Sequence, residues 1–373
     1  MKKTILLIAS CLLFVPTILL AQTNYSEEIA KSTEFTIPAA PAFVLLNTTP
    51  AQIVQPSNVR DFKIDWTLKT YRLSPNIALQ AQPIWLLAFD KKPFKKYQQT
   101  SGFVKMLSTL DLSLGTIQSD QNSQLAVAAK LNLYRQNDPL LDRQLLEKMD
   151  AELLTAQQEK QQEIRQLQKQ LDTLLNPKDI KAIKERIETL KNEKTRLTKE
   201  QKEKLLTIRN DYLKENWNSS MIDFAFGKVF VYDKPELDSL HINSAGFGLW
   251  LNGCKGFGKH YLLSSMVKYV TMKDTASLVS TNLVAGLNLR YGNEQYNFFG
   301  ELLLDWTMGE FWDFSTGQAI VLRRDEPNLV LAYGGDFKAG RNVLINFGIR
   351  TVYTKNFVFK NFIPIANIVC MMR

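Results

Sequence analysis

The chain is poor in the residues that build disulfide frameworks and metal sites, with 3 cysteines and 2 histidines among 373 residues. Cys11 lies in an apolar stretch near the N-terminus, which leaves Cys254 and Cys370 for the rest of the chain. Two cysteines are too few for a disulfide framework, although one bridge is possible outside the cytosol. The histidines and cysteines do not have the spacing of metal ligands. The sequence therefore predicts no bound metal and no other cofactor.

Long apolar runs are missing after the N-terminus. Lys2 and Lys3 precede an apolar run from Ile5 to Leu20. This pattern predicts a cleaved signal peptide over residues 1–22, the alternative being an uncleaved anchor. No other run of about 18 or more apolar residues follows, so we expect no further membrane-spanning helix. An exported chain of this kind is a soluble protein, a secreted protein or an outer-membrane β-barrel.

A stretch over residues 138–216 lacks glycine and tryptophan and is rich in Glu, Gln, Lys and Leu. Its apolar residues recur at three- and four-residue steps, which is the pattern of a coiled coil. Asn176-Pro177 interrupts this pattern, because proline cannot continue a helix interior. We therefore expect an antiparallel coiled-coil hairpin, with Ile164 opposite Leu190 and Met149 opposite Leu205. The alternative is one long helix that dimerises with a second chain.

Positive and negative charges are distributed unevenly along the chain, whose formal net charge is +9. Acidic and basic residues nearly cancel within residues 138–216, as expected for a solvated hairpin and not for an arm that binds nucleic acid. We expect no nucleic-acid partner. The basic excess falls on the flanking segments, where it would suit anionic lipid headgroups or serve solubility in general.

The segments on either side, residues 61–137 and 217–373, alternate between apolar and polar residues with period two, which predicts half-buried strands. About twelve such strands are expected. They are residues 61–69, Ile77–Phe89, Phe103–Ile117, Leu125–Tyr134, Met221–Val231, Ala245–Asn252, Tyr261–Met272, Val279–Tyr291, Gln295–Thr307, Asn328–Lys338, Arg341–Tyr353 and Phe357–Met371.

Strand length and spacing favour a membrane barrel over a soluble sandwich. Most predicted strands reach the ~9–11 residues that cross a bilayer at a tilt. After the helical stretch, short breaks alternate with longer ones, as periplasmic turns alternate with outer loops. Aromatic residues near strand ends are candidates for the two interface girdles: Trp66, Trp85, Tyr134, Trp250, Tyr261, Tyr291, Trp306 and Tyr353. The predicted fold is thus a mainly β, antiparallel transmembrane β-barrel of about twelve strands, interrupted by the coiled-coil hairpin.

Residues 23–60 form an extended, proline-containing segment with too few periodic positions for a core of its own. It could fill the barrel lumen, lie along the periplasmic rim or be a partly ordered linker. Three motifs, Pro41-Ala-Phe-Val-Leu-Leu, Gln55-Pro-Ser-Asn-Val-Arg-Asp-Phe and Pro83-Ile-Trp-Leu, resemble those of uncharacterised outer-membrane β-barrel proteins of Bacteroidota-type bacteria. The resemblance covers the N-terminal third and the general barrel pattern. It implies an outer-membrane location in a Gram-negative cell and no activity.

Charged residues recur at predicted inward positions, and their repetition across strands argues for a water-filled lumen. These lumen-facing candidates are Asp65, Lys69, Lys130, Arg290, Glu301, Asp305 and Arg350. An aromatic cluster in a predicted outer loop is the best candidate for anchoring in lipid or binding a ligand: Phe311, Trp312 and Phe314. His241 lies near Ser239, but nothing in the spacing predicts a base that is oriented by a third group, so we expect no enzyme.

Three functions remain open. The leading hypothesis is a porin-like channel or transporter for small polar solutes, or an envelope assembly component, with a protein partner bound through the hairpin and outer-membrane lipid around the barrel. The second is a structural or scaffold protein whose lumen is plugged by the N-terminal segment. The weakest is an outer-membrane hydrolase. We expect the hairpin on the periplasmic side.

Overall fold

In the computed structural model, most of the chain beyond the N-terminal region is described: residues 29, 31, 33, 36–58, 60, 62–69, 72–90, 92, 94–117, 123–171, 177–193, 199–232, 242–273, 278–313, 320–340 and 342–372. The predicted signal peptide lies outside these residues. Within the described ranges, no helix is both long enough and apolar enough to span a membrane.

Twelve strands form a closed antiparallel barrel, as predicted. Each strand pairs with its neighbours in the chain, and β1 pairs with β12 to close the sheet. The strands are β1 (Phe62–Lys69), β2 (Arg72–Ala81), β3 (Asp111–Ile117), β4 (Ser123–Arg135), β5 (Met221–Tyr232), β6 (Ile242–Phe257), β7 (Tyr261–Lys273), β8 (Val279–Gly292), β9 (Tyr296–Asp313), β10 (Ile320–Gly340), β11 (Val343–Tyr353) and β12 (Phe359–Met372).

The alternation in the sequence corresponds to the two faces of this barrel wall. On β8, Leu287 and Leu289 point outward and are 53% and 50% exposed. Asn288 and Arg290, the residues in alternation with them, are buried inside. Successive side chains of a strand point to opposite faces, so the outer surface is apolar, while the interior holds polar side chains together with a buried apolar cluster.

Because neighbouring strands run in opposite directions, the connections alternate between the two ends of the barrel. Short turns at residues 258–260 and 293–295 share one end with the helical insertion between β4 and β5. The start of β1 and the end of β12 lie at this end as well. We call it the helical end.

The described helices lie at the helical end or in the barrel interior. They are α1 (Pro41–Leu45), α2 (Pro83–Ala88), α3 (Phe94–Gln99), α4 (Gly102–Ser108), α5 (Arg143–Leu171), α6 (Pro177–Glu193) and α7 (Lys199–Asn216). Two of these correct the strand predictions. Residues 83–88 and 103–108 were expected to belong to strands and are helical instead.

Local sequence explains these two helices. Pro83 opens α2 at a position where its fixed backbone angle suits a helix and its missing N–H is not needed. The Ser101 side chain caps α4 by accepting a hydrogen bond from the N–H of Val104 at 3.5 Å. The girdle assignment also fails for two aromatics, because Trp85 and Trp250 are only 2% and 4% exposed.

In the helical insertion, α5 packs against both α6 and α7. Ile164 is buried with Ile187 and Leu190. Met149 and Leu205 are both fully buried and lie in one apolar cluster near the barrel. These groupings agree with the expected register. The residues that would form the bend, 172–176, lie outside the described ranges, and the coiled-coil hairpin stays a prediction.

Candidate functional site

The barrel interior contains residues 36–58, which together with Arg60 we call the lumen loop. The loop enters at the helical end, where the Lys63 ammonium donates to the Pro38 carbonyl. Its tip is at Asn47, whose backbone φ is +56°. It then returns to the helical end, where the Ser57 hydroxyl donates to the Thr36 carbonyl at 2.8 Å. Both limbs therefore leave the barrel at the same end.

Glu301 on β9 binds the backbone of the returning limb. Its two carboxylate oxygens accept hydrogen bonds from the N–H groups of Gln52 and Ile53, each at 2.9 Å. Asn288 on the neighbouring strand donates to the same carboxylate at 3.1 Å. Glu301 is 3% exposed, so its charge is held by these donors and not by bulk water.

Basic side chains bind the carbonyl groups near the tip. Arg350 on β11 donates to the Asn47 side-chain oxygen and to the Thr49 carbonyl, both at 2.7 Å. Lys268 on β7 donates to the Val44 carbonyl at 3.3 Å. These two residues lie on separate strands, so the tip is held from more than one side of the wall.

The part of the wall formed by β1 and β3 to β5 carries buried charges that pair with one another and bind the loop. Lys130 donates to the Ser57 carbonyl at 2.6 Å and lies 3.6 Å from both Asp111 and Asp223. Asp65 accepts from the backbone N–H of Ala40 at 2.5 Å. Each charge has an opposite charge or a hydrogen-bond donor close by, which is what burial of a charge requires.

The other lumen-facing candidates do not touch the loop in the same way. Arg290 pairs with Asp336 and donates to Asn297 at 2.9 Å. Asp305 is half-buried and accepts from the Thr307 hydroxyl at 3.3 Å. The backbone of Lys69 lies at the end of β1, and its side chain is outside the described part of the structure.

The structure describes the backbone of two of the three aromatic residues that were candidates for binding lipid or a ligand. Phe311 and Trp312 belong to the end of β9 and pair with Leu322 and Val321 of β10, so this region is strand where a loop was expected. Their side chains and all of Phe314 lie outside the described residues. His241 and Ser239 also lie entirely outside the described residues. Among the described residues, no group of His, Cys, Asp or Glu could hold a metal ion.

Apolar contacts fill the space that the polar contacts leave. The Leu45 side chain lies against Gly227 and Gly248, which are paired across β5 and β6. A cavity of about 20 Å³ remains between the loop, Lys130 and Trp250. That volume is room for roughly one water molecule. The lumen loop therefore fills the barrel at this level.

At the helical end, the base of the loop is joined to the helices. Gln55 donates to the Trp217 carbonyl at 2.9 Å. The Arg60 guanidinium lies 3.5 Å from the Asp138 carboxylate and 4.8 Å from the centre of the Trp85 ring. The loop is thus attached to the first and last residues of the helical insertion as well as to the barrel wall.

Sequence reasoning missed several residues of this site. Lys268 lies on the same face of β7 as Ser264 and Met266, so strict alternation would have placed it inside. Nothing in the sequence marked Asn47 as the tip of the loop, apart from the tolerance of asparagine for positive φ. Asp111 was missed because the strand that contains it was predicted to begin at Phe103, within a stretch that is helical.

Comparisons with known proteins give no family for this chain. No family model matches it, and no curated protein matches it in sequence. Among solved structures, the outer-membrane expressed OmpT of Vibrio cholerae covers 85% of this chain and 98% of its own, with TM-score 0.26 and 6% identity. The CymD monoaromatic hydrocarbon channel covers 84% and 89%, with TM-score 0.24 and 7% identity. Such low values say nothing about function and do not test the Bacteroidota resemblance.

Proposed function

We propose that this protein is a Gram-negative outer-membrane β-barrel that acts as a gated channel for small polar solutes, with the lumen loop as its gate. The observation that carries the proposal is the binding of the loop's backbone by buried charged side chains of the wall. With the loop in place the lumen is closed. Displacement of the loop opens a polar path.

The outer surface supports a position in lipid. Outward side chains on successive strands are large, apolar and exposed, including Val267 at 55%, Leu287 at 53% and Leu304 at 59%. A water-soluble protein rarely exposes a continuous apolar surface of this kind. In a bilayer the same surface is favourable, and the sheet closes on itself through β1 and β12.

The hydrogen bonds between the wall and the loop support a gate, and they lie beside an apolar cluster in which Leu45 and Ile53 of the loop pack with wall residues such as Trp250. The wall binds backbone N–H and C=O groups of the loop largely through Glu301, Arg350, Lys268 and Lys130. Water offers the same hydrogen bonds to these side chains, so the loop and water are exchangeable partners. The apolar side chains of the wall, such as Trp250 and Leu303, hold the loop by packing and cannot form these hydrogen bonds.

The positions of the turns support a periplasmic placement of the helical insertion. The insertion shares its end with the short turns, and in outer-membrane barrels the short turns face the periplasm. Its helices would then meet a protein partner there. A partner that moves these helices would also act on the loop base, through the contact of Arg60 with Asp138.

The test is planar-bilayer conductance of the intact mature protein and of a variant without residues 23–60. We expect the intact protein to be closed most of the time but to open in rare events under applied voltage, and the deletion variant to conduct steadily. A control deletion within the helical insertion, residues 150–204, leaves the loop's contacts with the barrel wall in place and should stay closed.

A structural protein with a permanently filled lumen is the second candidate, and the many satisfied contacts of the loop favour it. The same recordings separate the two. If the intact protein never opens under applied voltage while the deletion variant conducts, the loop is a permanent filling. Equal conductance of both proteins would exclude the loop as a barrier.

A further inference from the structure

The connection between β2 and β3 is unlike the short turns at the helical end. It spans residues 83–108, which we call the rim segment, and contains α2, α3 and α4. Its α4 packs against α2 and against β4. The Thr109 hydroxyl, directly after α4, accepts a hydrogen bond from the N–H of Asn132 at 3.0 Å. The rim segment is therefore fixed to the edge of the barrel.

One face of the rim segment is buried against the base of the helical insertion. Trp85, Phe89 and Tyr97 are 2%, 4% and 3% exposed. The Tyr97 ring lies edge-on to each of the other two, with centroids 5.3 Å apart in both pairs. Packing of three aromatic rings sets which side of the segment faces away from the insertion.

The other face carries large apolar side chains that touch little protein. Leu87 is 85% exposed and Phe103 is 65% exposed, with Leu86 at 40% and Val104 at 37%. Single exposed apolar residues are ordinary, but a group of them on one short segment marks an interaction surface.

This face continues the apolar outer surface of the barrel. The flanking strands β2 and β3 expose Leu79 at 38%, Leu112 at 44% and Leu114 at 44%. Leu79 and Leu114 are paired residues of neighbouring strands, so they form one patch directly beside the rim segment. Because the rim segment joins the ends of β2 and β3, a bilayer around this part of the wall would lie beside the segment.

The charge of the rim segment indicates the occupant. Its exposed charged residues in α3 and just before it are Lys92, Lys95 and Lys96, and Lys105 in α4 is partly exposed. Asp90 is the acidic residue among the described part of this segment. Lysines beside exposed Leu and Phe side chains are the combination that binds the interface of an anionic bilayer.

We propose that the rim segment lies in the headgroup region of the leaflet at the helical end, with Leu87 and Phe103 inserted and the lysines on anionic phospholipid headgroups. The proposal rests on the proposed membrane position of the barrel. It assigns the segment as a one-sided anchor that fixes the depth and tilt of the barrel beside β2 and β3.

The test places single cysteine probes in the full-length mature protein. Cys254→Ser and Cys370→Ser remove the native thiols, and Leu87→Cys or Phe103→Cys then carries a polarity-sensitive fluorophore. Leu304→Cys on the middle of the wall is the membrane control, and Leu154→Cys on α5 is the water control. The proteins are reconstituted in phosphatidylcholine vesicles with or without phosphatidylglycerol, and quenching by lipids brominated near the headgroup or near the chain end is measured.

We expect shallow-brominated lipids to quench the Leu87 and Phe103 probes, deep-brominated lipids to quench the Leu304 probe, and neither to quench the Leu154 probe. Quenching at Leu304 with none at Leu87 and Phe103 would overturn the anchor and leave the membrane barrel standing. Absence of quenching at all positions would overturn both. The Leu87 probe could instead be shielded from quenching at high protein density and lose this shielding when the protein is diluted in lipid. That result would indicate that a second copy covers the segment, and it would also overturn the anchor.

A separate pair of variants tests whether the rim segment prefers anionic lipid. Lys95→Glu with Lys96→Glu should remove the increase in Leu87 quenching that phosphatidylglycerol causes, while Lys181→Glu with Lys184→Glu on α6 should leave that increase unchanged. Equal quenching of the unaltered segment in both lipid mixtures would contradict a role for the lysines.

Discussion

Leu45 of the lumen loop lies in a gap in the barrel wall that Gly248 leaves open. A Cβ atom at Gly248 would lie 2.5 Å from Cδ1 of Leu45, well inside van der Waals contact. The wall and the loop are thus complementary in shape at this point as well as in hydrogen bonding.

This contact predicts coupling between the two positions. Gly248→Ala should destabilise the folded barrel by about 1–3 kcal/mol, because the new methyl group overlaps Leu45. Leu45→Ala should cost about 2–5 kcal/mol through the cavity it leaves. The double variant should be more stable than the sum of the two effects implies, by about 0.5–3 kcal/mol. Urea unfolding in detergent micelles measures all three, and strict additivity would contradict the placement of Leu45.

The Glu301 carboxylate gives a second prediction. Glu301→Gln replaces one acceptor oxygen by an NH₂ group, which faces the N–H of Gln52 or of Ile53. One buried donor then loses its acceptor, at a cost of about 1–3 kcal/mol. We expect the variant to fold and to show brief channel openings in planar bilayers. Glu310→Gln, at an exposed position further along β9, is the control and should behave as the wild type.

The tip residue gives a third prediction. The positive φ of Asn47 suits asparagine and glycine but not a β-branched residue. Asn47→Val should therefore be clearly more destabilising than Asn47→Gly, although both remove the oxygen that Arg350 binds. Thermal unfolding followed by the gel shift on heating distinguishes them. Equal transition temperatures would show that the tip does not need this backbone conformation.

The pH dependence at the base of the loop follows from Asp138. Burial acts to raise the pKa of its carboxyl group, but the positive charges of Arg135 and Arg60 outweigh it and hold this pKa below its usual range. The folded-state pKa lies below the unfolded one, so the stabilisation is complete above about pH 4 and is lost as pH falls through the folded pKa.

Asp138→Asn should therefore cost about 3 kcal/mol near neutral pH, because it removes the negative charge that lies beside the buried Arg60 guanidinium. The difference from the wild type should shrink as pH falls from about 4 to 2. Unfolding free energies measured across this range provide the check. A difference that stays constant with pH would mean that the carboxylate charge does not matter.

Alternation predicts the barrel well because each strand separates the barrel interior from the outer surface along its own length. Leu287 and Asn288 can be assigned to opposite faces from their neighbours alone. The helices of the rim segment could not be recognised in this way, since short apolar runs such as Pro83–Ala88 fit a strand and a helix equally well. Trp85 was misplaced for the same reason.

The site itself depends on contacts that no local pattern contains. Glu301 and Ile53 are 248 residues apart in sequence, and they meet because the barrel closes around a loop that precedes its first strand. The sequence indicated that residues 23–60 lacked a core of their own. It could not indicate whether the lumen, the rim or solvent would receive them, because backbone groups of the loop carry most of the contacts.

The most direct measurement of the central claim is a reversible lock on the loop. The Cβ of Pro50 lies 3.2 Å from the position of a Cβ at Gly348, so a shift of a few tenths of an ångström reaches the ~3.5–4.5 Å between the Cβ atoms of a disulfide. Pro50→Cys and Gly348→Cys are added to the Glu301→Gln variant without native cysteines, and conductance is recorded before and after reduction. If the loop is the gate, the oxidised protein is closed and the reduced protein opens, while variants with either cysteine alone open in both conditions. Openings of equal size and frequency in the oxidised and reduced double-cysteine protein would contradict the account.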